Sequence, residues 1–303
     1  IEVLCKHIKT RLESTLDQRK VLSSGGPQAL NSAIVTYFQL DGIFGYFSNK
    51  TNDILGASAS LSVLIAHGKL EVLRTFFDLL KQTTQRLSHV RVRDVGVPAE
   101  AQELLRVDKS MMDYMDLSLV VHSDREGEFA PILGAVVDPI IAMLNSQQQT
   151  ELDDARRLVL KINVLSSVQV CLTGYSFTSQ RSKVIGDMVN LDTTSFVDFS
   201  TSKILASFGF DQLHLSVDPA AALQTLQQFY SYTATAGALP IAHIEAFQSV
   251  RLRESIASRI TENVCSVYDQ RFHATPAVSN VDRSAFEPRK LRVMLDASSS
   301  ASS

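Results

Sequence analysis

The sequence predicts an all-α protein, an elongated stack of antiparallel helical bundles with no sheet, and three observations carry that prediction. Apolar residues recur at intervals of three and four in one segment after another, the spacing that gathers them on one face of a helix. No stretch of any length alternates apolar and polar residues as a half-buried strand does. Residues 53–92 keep the helical spacing without a proline, and at ~1.5 Å per residue such a run is a rod of about 60 Å, longer than a compact globule usually contains.

Element by element, Ile1, Leu4, Cys5, Ile8, Leu12 and Leu16 form the apolar face of a first helix that ends at Ser23-Ser24-Gly25-Gly26-Pro27. A second carries Leu30, Ile34, Tyr37, Phe38, Phe44 and Phe47 and stops in the polar run 48–52. The long third segment has Ile54, Leu61, Leu64, Ile65, Val72, Phe76, Leu79 and Leu87 on its inner face. RDVGVPAE, Arg93 to Glu100, then breaks the pattern with Gly96 and Pro98, and helical spacing resumes from Ala101 to Val121. After a polar turn at 122–128, Phe129, Ile132, Leu133, Val136, Val137, Ile140, Ile141 and Leu144 give a broad apolar face.

The next helix starts in the acidic stretch Glu151-Leu152-Asp153-Asp154, since carboxylates favour a helix N-terminus. Thr178 is the expected N-cap of a helix through Ile185 and Phe199, and Asp218-Pro219 opens another with Leu223, Leu226 and Tyr230 on one face. Pro240 starts a unit that breaks near Gln248-Ser249 and continues through Leu252, Ile256, Ile260, Val264 and Val267. Past Pro276 the chain reads as loop, with FEPRKLRVMLDAS supplying a short amphipathic segment before a Ser-rich end. These breaks divide the chain into a first bundle at 1–93, a second bundle region at 100–275 and a tail at 276–303.

Charge and cysteines narrow the class. A net charge of −3 with a pI near 6.2 lacks the excess of cations that nucleic-acid binding requires. Cys5, Cys171 and Cys265 are odd in number, far apart and set among apolar residues, and read as reduced core thiols of a cytosolic protein. The longest apolar run, Ala130 to Leu144, contains Asp138 and falls short of the roughly 18 to 20 residues of a spanning helix. The chain opens in what reads as the interior of a helix, with no signal peptide.

A search for chemistry returns no catalytic set, no metal site and no cofactor site. Glycine-rich phosphate loops, HExxH, GxSxG and aspartate-rich calcium loops are all missing from the sequence. No two of the seven histidines fall at i, i+4, so each reads as a helix-surface or helix-end residue. Asp138-Pro139 raises the question of a buried catalytic carboxylate. With no second titratable group to define a reaction, the pair reads as a structural kink: Pro139 frees the carbonyl of Ala135, and Asp138 answers a nearby donor.

Five stretches carry a family resemblance: LCKHIKTRLES, LSVLIAHGKLEVLRTFFDLL, EFAPILGAVVDPIIAML, YSFTSQRSKVIGDMV and RESIASRITENVCSVYDQRF. In order and spacing they resemble the C-terminal half of the subunit-six family of the conserved oligomeric Golgi complex. The run Val137-Asp138-Pro139-Ile140-Ile141 is the most specific, reinforced by Glu262-Asn263-Val264-Cys265 and Tyr268. The resemblance implies a non-enzymatic rod of helical bundles, peripheral on the cytoplasmic face of the Golgi membrane. It implies retrograde vesicle tethering with sister subunits of the complex and Golgi SNARE proteins as partners.

Within that frame the partner-binding expectation falls on the C-terminal unit, on Arg251, Arg253, Arg289, Lys290 and Arg292 beside the aliphatics Val293 and Leu295, taken as exposed. Cations there set on-rate and aliphatics supply affinity. The alternative is a peripheral lipid- or phosphoinositide-binding helical module acting through RLRES and PRKLR. Each cluster holds two or three cations, against the roughly four to eight of a lipid-binding polybasic segment.

Overall fold

The computed structural model describes residues 10, 42, 59–117, 124–146, 152–210, 218–276, 278 and 282–301. Among them there are eight α-helices and no strand: α1 Ala59–Ser88, α2 Ala99–Leu117, α3 Arg125–Ser146, α4 Asp154–Leu172, α5 Ser179–Ser207, α6 Pro219–Ala236, α7 Val250–Ala274 and α8 Pro288–Ala301. Short 3-10 turns occupy Ser176–Thr178, Ile244–Ala246 and Arg283–Phe286. The all-α class expected above is what is seen. The first two expected helices and the side chains of Leu61 and Leu64 lie outside the described residues.

The chain divides into two compact units, one of residues 1–93, 97–150 and 165–186, the other of 94–96, 151–164 and 187–303. Both are discontinuous in sequence, where the reading above sets 1–93, 100–275 and 276–303 in succession.

In the first unit α1 packs on α2 and α3, and α3 packs on α2 and on the turn Ser176–Thr178. Val72, Phe76, Leu79, Leu80 and Leu87 of α1 are buried, as the spacing requires. Helix α3 starts earlier than expected, inside the polar turn, because Asp124 caps it: its Oδ1 accepts from the amide of Gly127 at 2.9 Å. It then runs without interruption through Pro131 and Pro139, each of which removes one amide donor from the helix ladder. By length and composition α3 could cross a membrane. Its apolar residues Phe129, Ile132, Leu133, Val136, Val137, Ile140, Met143 and Leu144 are buried within the protein, with the Phe129 ring edge-on to Phe177 at 5.3 Å.

Thr178 is not an N-cap acceptor. Its hydroxyl is wholly buried and donates to the carbonyl of Leu172 at 2.7 Å, with that of Tyr175 at 2.9 Å sharing the same proton. It thus satisfies carbonyls at and just beyond the end of α4, and Ser176–Thr178 runs directly into α5.

In the second unit the capping signatures read from sequence are present. Asp153 Oδ1 accepts from Arg156 N at 2.8 Å at the head of α4. Asp218 caps α6 through Ala220 N, Pro219 follows it in the first turn, and Gly237 at φ 73° closes the helix in the left-handed region that glycine alone adopts cheaply. Ser249 caps α7, which gives the break near Gln248-Ser249 its cause.

The core of this unit is aromatic: Phe210, Phe229, Tyr268, Phe272 and Phe286 are buried, with Phe210–Phe229 at 5.4 Å and Phe229–Tyr268 at 5.7 Å. The Tyr268 hydroxyl reaches partners despite full burial, donating to the carbonyl of Phe286 at 2.8 Å, with that of Leu226 at 3.4 Å. Arg283 lies over the Phe272 ring at 4.3 Å and donates to the carbonyls of Phe272 and Thr275, which end α7. Those carbonyls have no partner inside the helix and sit at its negative end, so a guanidinium suits them. The tail expected as a short segment is therefore a full helix, α8, packed on α6 and α7.

Candidate partner-binding surface

The expected surface residues belong to the second unit, in two groups. Arg251 and Arg253 lie in the first turn of α7; Arg251 is exposed and the half-buried Arg253 guanidinium pairs with Glu245. Arg289, Lys290 and Arg292 lie in the first turns of α8, all exposed, with Lys290 Nζ donating to the Ser284 carbonyl at 2.7 Å.

Arg292 lies beside Cys265, where burial pushes the thiol pKa up and the Arg292 charge opposes the rise. Cys265 is twelve residues beyond Arg253 on the same helix, which at ~1.5 Å per residue is about 18 Å. The two basic groups thus do not converge on one spot.

The aliphatics also separate. Val293 is 62% exposed, but Leu295 is 5% exposed and packs inward with Leu291, contrary to the expectation that both face solvent. On α8 the residues 289, 292, 293 and 296 share the outward side, and 291 and 295, four apart, share the inward one. The i, i+4 rule applied to LRVMLD assigns Leu295 to the buried side.

Asp138 occupies the outer side of α3, not the core. Its side chain is 61% exposed and pairs with Arg181, which is the nearby donor expected of it. Among the described residues no three His, Cys, Asp or Glu side chains gather as metal ligands. His243 sits 3.7 Å from Asp153, and His273 3.3 Å from Asp269 one turn earlier on α7, both as exposed pairs.

Sequence reasoning missed three polar groups. Asn163, 3% exposed, donates through Nδ2 to the carbonyls of Val95 and Ala246, both at 2.9 Å, and accepts from Gln248 N at 3.1 Å. Asp113, Tyr175 and Lys109 form a surface cluster: the Tyr175 hydroxyl donates to Asp113 and Lys109 Nζ lies 3.2 Å from the same carboxylate. The Tyr175 hydroxyl, with Lys109 adding to it, holds the Asp113 carboxyl below its ordinary range.

The third is Asp108, wholly buried on α2, with neither carboxylate oxygen hydrogen-bonded. Burial pushes its pKa up to about 7. Burial, with the nearby Asp108 adding to it, pushes Cys171 up to about 12.

The comparisons with known proteins place the chain. The family model described as "Conserved Oligomeric Golgi complex subunit 6, C-terminal" matches residues 1–295. The chain belongs to that family. It is similar to conserved oligomeric Golgi complex subunit 6 of Rattus norvegicus, 20% identical over 89% of this chain and 42% of the relative. The Homo sapiens protein of the same name is 20% identical over 90% of this chain and 43% of its own length. That of Arabidopsis thaliana is 23% identical over 92% and 47%. The chain thus spans less than half the length of these relatives. No solved structure matches it significantly.

Proposed function

We propose that the chain is the C-terminal part of a non-enzymatic subunit of a Golgi vesicle-tethering complex. In this reading it acts in retrograde transport within the Golgi, at the cytoplasmic face of the membrane. The observation that carries it is the family match over residues 1–295. The helical architecture supports it, because tethering asks for surfaces that receive other helices, through anchors at i, i+3, i+4 and i+7, and asks for no reaction centre. Sister subunits and Golgi SNARE proteins are the partners in this reading.

The outward side of α8 is the surface we assign to an acidic amphipathic partner helix, since exposed Arg289 and Arg292 flank the exposed Val293. Capture from cell extract with the tagged full-length subunit tests the reading. Sister subunits and Golgi SNAREs are expected to co-purify, and Arg289→Glu with Arg292→Glu is expected to lose SNAREs at least tenfold while the fold persists. Recovery of neither class overturns the tethering reading. Salt-sensitive flotation of the purified chain on anionic vesicles, without protein partners, favours the lipid-binding alternative.

A further inference from the structure

Asp108 is the one wholly buried carboxylate described, and nothing in the proposed function uses it. It lies on α2 among the buried residues Leu104, Leu105, Val107, Met111 and Met112. The second half of α4 meets this face: the Cys171 thiol donates to the Leu105 carbonyl at 3.4 Å, one turn before Asp108.

A buried carboxylate is tolerated when paired or when neutral. Among the described residues none pairs with it. On α2 itself Lys109 and Arg106 are exposed, and Asp113 is held by Tyr175 and Lys109; Glu103 is half-buried with an unpartnered Oε1. On α1, Arg74, Asp78, Lys81 and Arg86 are exposed. On α3, Glu126, Glu128 and Asp138 are exposed and Arg125 is half-buried. From α4 Cys171 lies close enough to feel its charge, and burial keeps that thiol protonated. The described residues thus suit a carboxyl in its neutral form and supply no donor or cation to its ionised form.

We propose that the seam between α2 and the second half of α4 is a pH-dependent latch within the first unit, shut while Asp108 is protonated and opening more readily as the solvent draws off that proton. In an opened seam Asp108 regains its ordinary acidity near pH 4, whereas the closed seam releases the proton only near pH 7. Between those values opening releases a proton, so the open population rises about tenfold per pH unit and then levels off. Acidification tightens the seam.

Hydrogen exchange of the intact protein, read by mass spectrometry from pH 5 to 8, tests this. Intrinsic amide exchange rises about tenfold per pH unit, and exchange through small openings multiplies that by the open population. Peptides from α2 and from residues 165–172 are expected to exchange about a hundredfold faster per unit below pH 7 and tenfold above it. Peptides from α6 and α7 keep the tenfold dependence throughout. Asp108→Asn should return the α2 peptides to tenfold. A tenfold dependence in wild-type α2 overturns the proposal, as does the steep dependence appearing equally in α7 or surviving in Asp108→Asn. If Asp108→Asn does not fold, the contrast between α2 and α7 in the wild type decides alone.

Discussion

Asn163 and Asp108 are both buried polar residues, one in each unit, and their surroundings differ completely. Asn163 meets three backbone groups and ties residues 94–96 and the turn before α7 to α4. Asp108 meets none. Burial of a polar group is costly in itself, and what decides its net effect is whether every lone pair and proton finds a partner. The second unit therefore gains order from its buried polar atom. The first carries one that weakens it.

The largest expected effect is on pH dependence. Because the folded Asp108 pKa is raised, the folded chain holds a proton that the unfolded chain has lost between about pH 4 and pH 7. The stability of the first unit then falls with rising pH across that window, by about 4 kcal/mol in total, and stays level outside it so far as this group decides. Urea denaturation at a series of pH values checks this, and Asp108→Asn is expected to flatten the profile and stabilise the protein at pH 7.5.

Asn163→Ala comes next, at roughly 3 kcal/mol, because it leaves two carbonyls and an amide without their partner. Denaturation at pH 7.5 reads it, with the loss expected in the second unit's protection. A neutral result breaks the comparison. Tyr268→Phe, which removes one buried hydroxyl from the Phe286 and Leu226 carbonyls, costs about 1 kcal/mol and shows no pH dependence below pH 9. Asp138→Ala or Arg181→Ala breaks an exposed pair and shifts stability by at most about 0.5 kcal/mol. A loss several times larger from either would mean that the pair does more than an exposed ion pair can.

Much of the fold is written locally. Asp218-Pro219, the acidic start at Asp153 and Ser249 each cap with their own side chain an amide two or three residues on, so the helix starts are legible in a short window. Helical spacing likewise identifies Phe76, Ile132, Val136, Ile140, Ile256 and Ile260, all buried.

What escapes is non-local. Asn163 reads as an ordinary polar residue in a helix because its partners lie 68, 83 and 85 residues away. Asp108 shares the i, i+4 register of Leu104 and Met112, so helical spacing marks its inward side, but the spacing does not show that the carboxylate finds no partner there. The length of α8 is hidden by its serines, poor helix formers, and its docking depends on Phe286 and Arg283 reaching back to α7. The candidate surface was legible as charge but not as geometry: the cations at 251–253 and 289–292 do not converge on one spot, and Leu295 turns inward.

The contrast between the two buried groups is tested most directly by watching Asp108 titrate. With aspartate labelled at the carboxyl carbon, the resonance absent from Asp108→Asn identifies the group, and its shift is followed from pH 4 to 9. A midpoint near pH 7 is the predicted result. A midpoint near 4, the ordinary carboxylate range, would mean that Asp108 is solvated or paired after all, and would contradict the account.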